Sequence, residues 1–108
     1  MMNYRPGQNR AQHNPYLVQK IMSASKEELI AYIYDAAITA CAQKDSVKAR
    51  NALNALVQSL NFDYKETANT FMNVYRYLMH LINNKKFDEA KATFSDLKKT
   101  WAKAFNLL

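Results

Sequence analysis

The stretch Ser25-Lys26-Glu27-Glu28-Leu29-Ile30-Ala31-Tyr32-Ile33-Tyr34-Asp35-Ala36-Ala37-Ile38 opens with a helix-start signal and runs on without a helix breaker. The Ser25 hydroxyl is placed to accept from the N–H of Glu28 while the Glu28 carboxylate reaches back to Ser25, a capping box. Apolar residues then recur at helical spacing, and the segment predicts a helix from Ser25 to about Gln43. Three further helices follow from the same kind of reading. A break at Lys44-Asp45-Ser46 leads to a second helix ending near Leu60. The run Asn61-Phe62-Asp63-Tyr64 makes the next connection, with Asp63 and Glu66 repeating the cap-plus-three spacing of a third helix that reaches about Ile82. Asn83-Asn84-Lys85-Lys86-Phe87 supplies a turn whose asparagines tolerate left-handed geometry, and Asp88 is expected to cap a fourth helix extending to about Phe105.

Composition supports the same class. The only glycine is Gly7 and the only prolines are Pro6 and Pro15, so the 93 residues from Tyr16 to Leu108 hold neither of the main turn formers. Hairpin-rich folds and glycine-lined phosphate loops cannot be written in such a sequence. Four helices of about 15 to 19 residues, roughly 22 to 28 Å long, joined by short links, predict an all-α protein. The expected architecture is an antiparallel up-down four-helix bundle preceded by a short helical or extended segment. The expected organisation is a flexible arm over residues 1–15 and a bundle domain over 16–108. The chain is 49% hydrophobic over 108 residues, enough for one core and too short for a multidomain enzyme.

No apolar stretch approaches the ~20 residues of a membrane span, and the first residues, MMNYRPGQNRAQHN, lack the apolar core of a secretory signal. A cytoplasmic protein with no membrane insertion is expected. Cys41 is the single cysteine, which rules out an intramolecular disulfide and reads as a small buried hydrophobe. The net charge of +6 is spread, with +3 over residues 1–24, −1 over 25–44, +1 over 45–61, 0 over 62–83 and +3 over 84–108. The last excess alternates with Asp88, Glu89 and Asp96 and resembles a solvated helix face. It lacks the dense basic and aromatic interleaving of a nucleic-acid binder, so no nucleic-acid partner is expected.

The apolar arcs of the helices differ in width. In the fourth helix Phe87, Ala90, Phe94, Leu97, Trp101, Ala104, Phe105 and Leu108 fall within about 100°, and in the second Ala49, Ala52, Leu53, Leu56, Val57 and Leu60 fall within about 140°. The first helix spreads its apolar residues over about 240° and the third over about 180°, more than one core requires. One reading makes these helices the most central, with tyrosine hydroxyls wet at the rim. The other makes their flanks groove walls for an amphipathic helix, using Tyr34, Ile38 and Cys41 with Met72 and Met79, or Tyr32 with Val74, Tyr77 and Leu81. The apolar stretch Tyr16 to Met22 either packs on the bundle as a short helix or occupies part of a partner groove.

Catalytic and metal chemistry has little material. His13 lies in the polar arm and His80 on the wet side of the third helix, and neither has the Glu three residues earlier that a di-iron bundle needs. No inward carboxylate pair suggests acid–base work. The expectation is a non-enzymatic protein without cofactor or metal.

Three stretches carry a family resemblance. Tyr16 precedes Ser23-Ala24-Ser25 and a helix bearing Ile33-Tyr34-Asp35-Ala36-Ala37. Leu56-Val57-Gln58-Ser59-Leu60-Asn61-Phe62-Asp63 forms a leucine-rich turn. Phe71-Met72-Asn73-Val74-Tyr75-Arg76-Tyr77-Leu78 and then Leu97-Lys98-Lys99-Thr100-Trp101 close the pattern. Over residues 16 to 105 the chain resembles the flagellar export chaperone family (FliS). Lys26 stands where that family has proline, Ala36 where it has glycine, and Arg76 where an acidic residue is common. The first two changes leave a helix intact; Arg76 alters the charge presented to a partner.

The resemblance implies a cytoplasmic chaperone that binds the C-terminal region of flagellin, prevents premature polymerisation, assists type III secretion and contacts export-apparatus components, as a monomer or weak dimer. The expected contacts are Tyr16, Ile21, Ile30, Tyr34, Ile38, Met72, Tyr75 and Met79, with a place in the core as the alternative for each, Ile30 and Tyr75 above all. Glu at Tyr34 or Met79 should then abolish client binding with the helix signal kept, and loss of the fold would reassign the residue to the core. The competing expectation is a self-associating bundle, an adaptor or regulator without a flagellin client.

Overall fold

The computed structural model describes residues 15–106, and these are all-helical. Five helices run α1 (Pro15–Met22), α2 (Lys26–Ala42), α3 (Ser46–Gln58), α4 (Lys65–Asn83) and α5 (Phe87–Ala104). The expected arm at 1–15 lies outside the described residues except for Pro15, which opens α1, the helix position where a missing N–H costs nothing. Leu108, assigned from sequence to the last apolar stripe, also lies outside them.

Capping fixes where the helices begin and end. The box at α2 forms as the sequence predicts: Ser25 Oγ accepts from the Glu28 N–H at 3.1 Å, and the Ser25 N–H donates to Glu28 Oε1 at 3.0 Å. These two bonds favour the ionised carboxylate and hold Glu28 below the usual range, the backbone bond contributing most. At the other end of α2, Lys44 takes a left-handed conformation (φ 56°). Its N–H donates to Cys41 O at 3.0 Å and that of Asp45 to Ala40 O at 2.9 Å, which is a Schellman motif. Asp45 then caps α3 by accepting from the Lys48 N–H at 3.0 Å, so one residue ends a helix and starts the next.

The α4–α5 junction repeats the device. Lys85 has φ 58°, its N–H donates to Ile82 O at 3.0 Å, and the N–H of Lys86 donates to Leu81 O at 2.8 Å. The sequence reading placed the left-handed residue at an asparagine. Instead Asn84 ends α4 at φ −98° and its Nδ2 donates to His80 O at 2.8 Å, which leaves the reversal to the next residue. Two expected caps also move. Lys86 already occupies the cap position of α5, because the motif hands the chain directly to the buried Phe87, and Asp88 sits in the first turn. At α4 the Asp63 N–H donates to Asn61 Oδ1 at 3.0 Å in a local turn, so the helix starts one residue later with Tyr64 at the cap and no side-chain bond.

Helix α2 packs against both α3 and α5, and α4 packs against the same two from the other side. Trp101 Nε1 donates to Glu27 O at 2.9 Å, Lys98 pairs with Asp35 at 2.6 Å, and Lys91 lies near enough to Cys41 to act on its thiol. Late residues of α5 thus meet early residues of α2, and the two helices run antiparallel. The interior is filled by Tyr34, Leu53, Leu56, Leu78, Ile82 and Phe94, none of them measurably exposed. Cys41 is buried, and desolvation raises its thiol pKa against the opposing influence of Lys91.

The wide arc of α2 follows from its two neighbours: Ile30, Ala31, Tyr34, Ala37, Ala40 and Cys41 are all buried. Tyr77 is exposed as a rim residue would be, but the hydroxyls of Tyr34 and Tyr75 do not reach water. Tyr34 and Tyr75 are buried and bond each other, hydroxyl to hydroxyl, at 2.8 Å. Burial pushes the pKa of both upward. At the end of α5 the expected stripe runs out early, because Ala104 and Phe105 are exposed.

Candidate functional site

Helix α1 is the one helix with no buried residue. Its Tyr16, Leu17, Val18, Ile21 and Met22 are all exposed, Tyr16 and Met22 by about three quarters (74% and 78%). An amphipathic segment in water buries its apolar face where it can, and α1 meets α2 where Lys20 Nζ stands 5.5 Å from the centre of the Tyr32 ring.

Beside that contact a groove of about 650 Å³ opens between α2 and α3. Leu29, Tyr32 and Ile33 form one wall and Ile21 of α1 stands at its mouth. Ala36, Ala52 and Ala55 supply small side chains along it, with Lys48 and Asn51 at the polar margin. Alanines let another backbone approach closely, while Leu29, Tyr32 and Ile33 offer apolar contact at the spacing of one helix face. Apolar capture is the chemistry such walls can perform.

A second, more enclosed cavity of about 390 Å³ lies at the end of the molecule where α2 starts and α5 stops. Its walls include Ile30, Leu60, Phe71, Tyr75, Trp101 and Phe105. The Trp101 and Phe105 rings are 4.5 Å apart, and Phe71 lies 5.9 Å from Tyr75.

The eight residues expected from sequence to meet a partner fall into three groups. Tyr16 and Ile21 are exposed on α1, and Ile21 borders the groove. Ile38 and Met79 are half-buried and packed against the core, and Met72 is half-buried on α4. Ile30, Tyr34 and Tyr75 are interior. Tyr34 is therefore corrected from groove wall to core, because its ring is fully enclosed and its hydroxyl is bonded inside; Glu there would bury an unpaired carboxylate and unfold the chain. Ile30 and Tyr75 face the enclosed cavity from the core side and are not exposed to the α2–α3 groove.

Sequence reasoning named Tyr32 on an alternative flank but paired it with α4. The structure pairs it with α3, and Leu29, Ile33, Ala36, Ala52 and Ala55 complete the groove. The available signal was Ala36, Ala52 and Ala55, small residues on two consecutive helices. Periodicity placed Ala52 in the core stripe, and Ala52 is indeed buried while also edging the groove.

Among the described residues no helix is long and apolar enough to cross a membrane, and no three His, Cys, Asp or Glu side chains gather where a metal could bind. The chain matches no family model, and no curated protein or solved structure shows significant similarity to it.

Proposed function

We propose that this chain is a cytoplasmic export chaperone whose helices α2 to α5 make an antiparallel up-down four-helix bundle. Its client is the C-terminal segment of flagellin, held as a helix so that it cannot polymerise before type III secretion. One observation carries the reading: an apolar groove between α2 and α3, with three alanines along it, beside a helix that has no fully buried residue. A client helix placing three Leu- or Ile-sized anchors there gains about 1.5 to 3 kcal/mol for each. Ordering a disordered client offsets about 2 to 5 kcal/mol of that sum, and lost translational and rotational freedom offsets more, so the client needs further contacts beyond these three anchors. The sequence resemblance to flagellar export chaperones supplies the client's identity.

The test is calorimetric titration with a peptide covering the C-terminal segment of flagellin from the same organism, at low and high salt. Saturable one-to-one binding with a negative heat-capacity change and weak salt dependence is expected. Ala36→Trp fills the groove from an exposed position and should abolish binding while helix content stays constant. An unchanged affinity in Ala36→Trp would place the client elsewhere. Absence of binding, together with a concentration-dependent dimer in sedimentation, would replace the chaperone reading by a self-associating adaptor.

A further inference from the structure

The end of the molecule formed by the α2–α3 and α4–α5 links carries a feature the groove does not use. Both links turn on a lysine in the left-handed region, Lys44 at φ 56° and Lys85 at φ 58°. Glycine is the residue that takes this position without a Cβ penalty, and asparagine the next best. The two links belong to separate helix pairs, yet each keeps a long cationic side chain at its strained position. Both side chains are exposed.

The two links lie at the same end. Arg50 Nη1, one turn into α3, donates to Asn83 Oδ1 at the last residue of α4 at 3.2 Å. Lys44, Arg50, Lys85 and Lys86 are thereby brought to one end of the molecule. The acids nearby are Asp45, engaged with the Lys48 N–H, and Asp88 and Glu89 in the first turn of α5. The ion pair found among the described residues, Lys98 with Asp35, belongs to the side of the molecule and leaves these cations alone. Residues kept in a strained conformation against a better alternative point to a use for the side chain.

From this charge and strain we propose that the basic end docks an acidic, extended segment of a protein partner, at a site separate from the α2–α3 groove. Carboxylates spaced along an extended chain match ammonium groups carried on two adjacent links. Of the exposed aromatics, Phe62, Tyr64 and Phe105 belong to the opposite end, at the α3–α4 link and the end of α5, while Tyr77 lies in the half of α4 nearer the basic end.

The experiment is fluorescence anisotropy with a fluorescein-labelled twelve-residue peptide of alternating Glu and Ser, at about 20 mM and about 300 mM salt. Saturable binding at low salt that weakens steeply at high salt is expected. The Lys44→Gly/Lys85→Gly double variant removes two charges and relieves the left-handed strain. Affinity should fall about tenfold while the melting midpoint rises by about 2 to 5 °C for each glycine. Lys44→Asn/Lys85→Asn should lose affinity equally. Lys26→Glu changes net charge by the same two units at the opposite end, and Ala36→Trp blocks the groove; both should bind as the parent does. Four results would overturn the proposal: no binding at low salt, an equal loss in Lys26→Glu, displacement of the peptide by a lower concentration of twelve-nucleotide oligo-dT, or a melting midpoint that falls with glycine.

Discussion

Removing the hydroxyl of either Tyr34 or Tyr75 should destabilise the chain more than removing both. The hydroxyls are 2.8 Å apart, both residues are buried, and each is the partner found for the other. In Tyr34→Phe the Tyr75 hydroxyl keeps its desolvation cost and loses its bond, a penalty of about 1 to 3 kcal/mol, and Tyr75→Phe does the converse. In the double variant no polar atom is left behind, and two phenyl rings fill nearly the same space, so its cost should be under about 1 kcal/mol. Urea unfolding of the four proteins measures this cycle, with midpoints compared at constant m. Each single variant should also melt roughly 4 to 20 °C lower, taking the sensitivity of a domain this size. Costs that add, or single variants within about 0.5 kcal/mol of the parent, would show that the hydroxyls find water and refute the reasoning. The same pair sets an alkaline limit. Burial raises both pKa values above the ordinary 10.0, so the folded state holds its protons more tightly than the unfolded. The stabilisation is whole below pH 10 and is lost as pH rises beyond it. Absorbance of tyrosinate should show two of the seven tyrosines titrating only as the helix signal collapses.

Three further outcomes follow from single contacts. Ser25→Ala removes the α2 cap and should lower the melting midpoint by a few degrees; because the cap holds Glu28 below its usual range, the parent's advantage should shrink as pH falls through that carboxylate's titration, checked by melting curves from pH 7 to 3. Trp101→Phe loses the bond to Glu27 O that ties the end of α5 to the start of α2, at a cost of about 0.5 to 1.5 kcal/mol in urea unfolding. Cys41, buried and with its thiol pKa raised, should react with a thiol reagent only at the rate of opening, and denaturant should accelerate the reaction by orders of magnitude.

The groove includes Ile33 and Ala36 of the stretch that carries the resemblance, but not Tyr34. A chaperone that captures helices needs apolar surface that is open yet too narrow to collapse on itself. The α2–α3 groove is open because of its alanines: a small side chain keeps two helices close and leaves room above them. Tyr34, central to the sequence motif, is spent on the interior. Its place in the motif is explained by the hydroxyl pair with Tyr75, which joins α2 to α4 across the core.

The sequence by itself determined the helices. Ser25 with Glu28 wrote the start of α2, the lack of glycine and proline after Pro15 left no other secondary structure to form, and the stripe of α3 was readable because it faces a single interior. Those are local matters of propensity, capping and period. Tertiary structure decided which apolar residues remained at the surface. An arc of about 240° on α2 says that the helix has more than one apolar side, but only the positions of α3 and α5 divide that arc into interior and groove. Tyr34 went inside, where Tyr75 faces it, while Leu29 stayed exposed and Tyr32 half-buried along the groove they share with Ala52 and Ala55. Likewise the left-handed lysines could not be read in advance: Lys44 and Lys85 carry no conformational signature of their own. They turn the chain because Asp45 and Lys86 must begin the next helix at once, with Ala49 and Phe87 already pointed into the core.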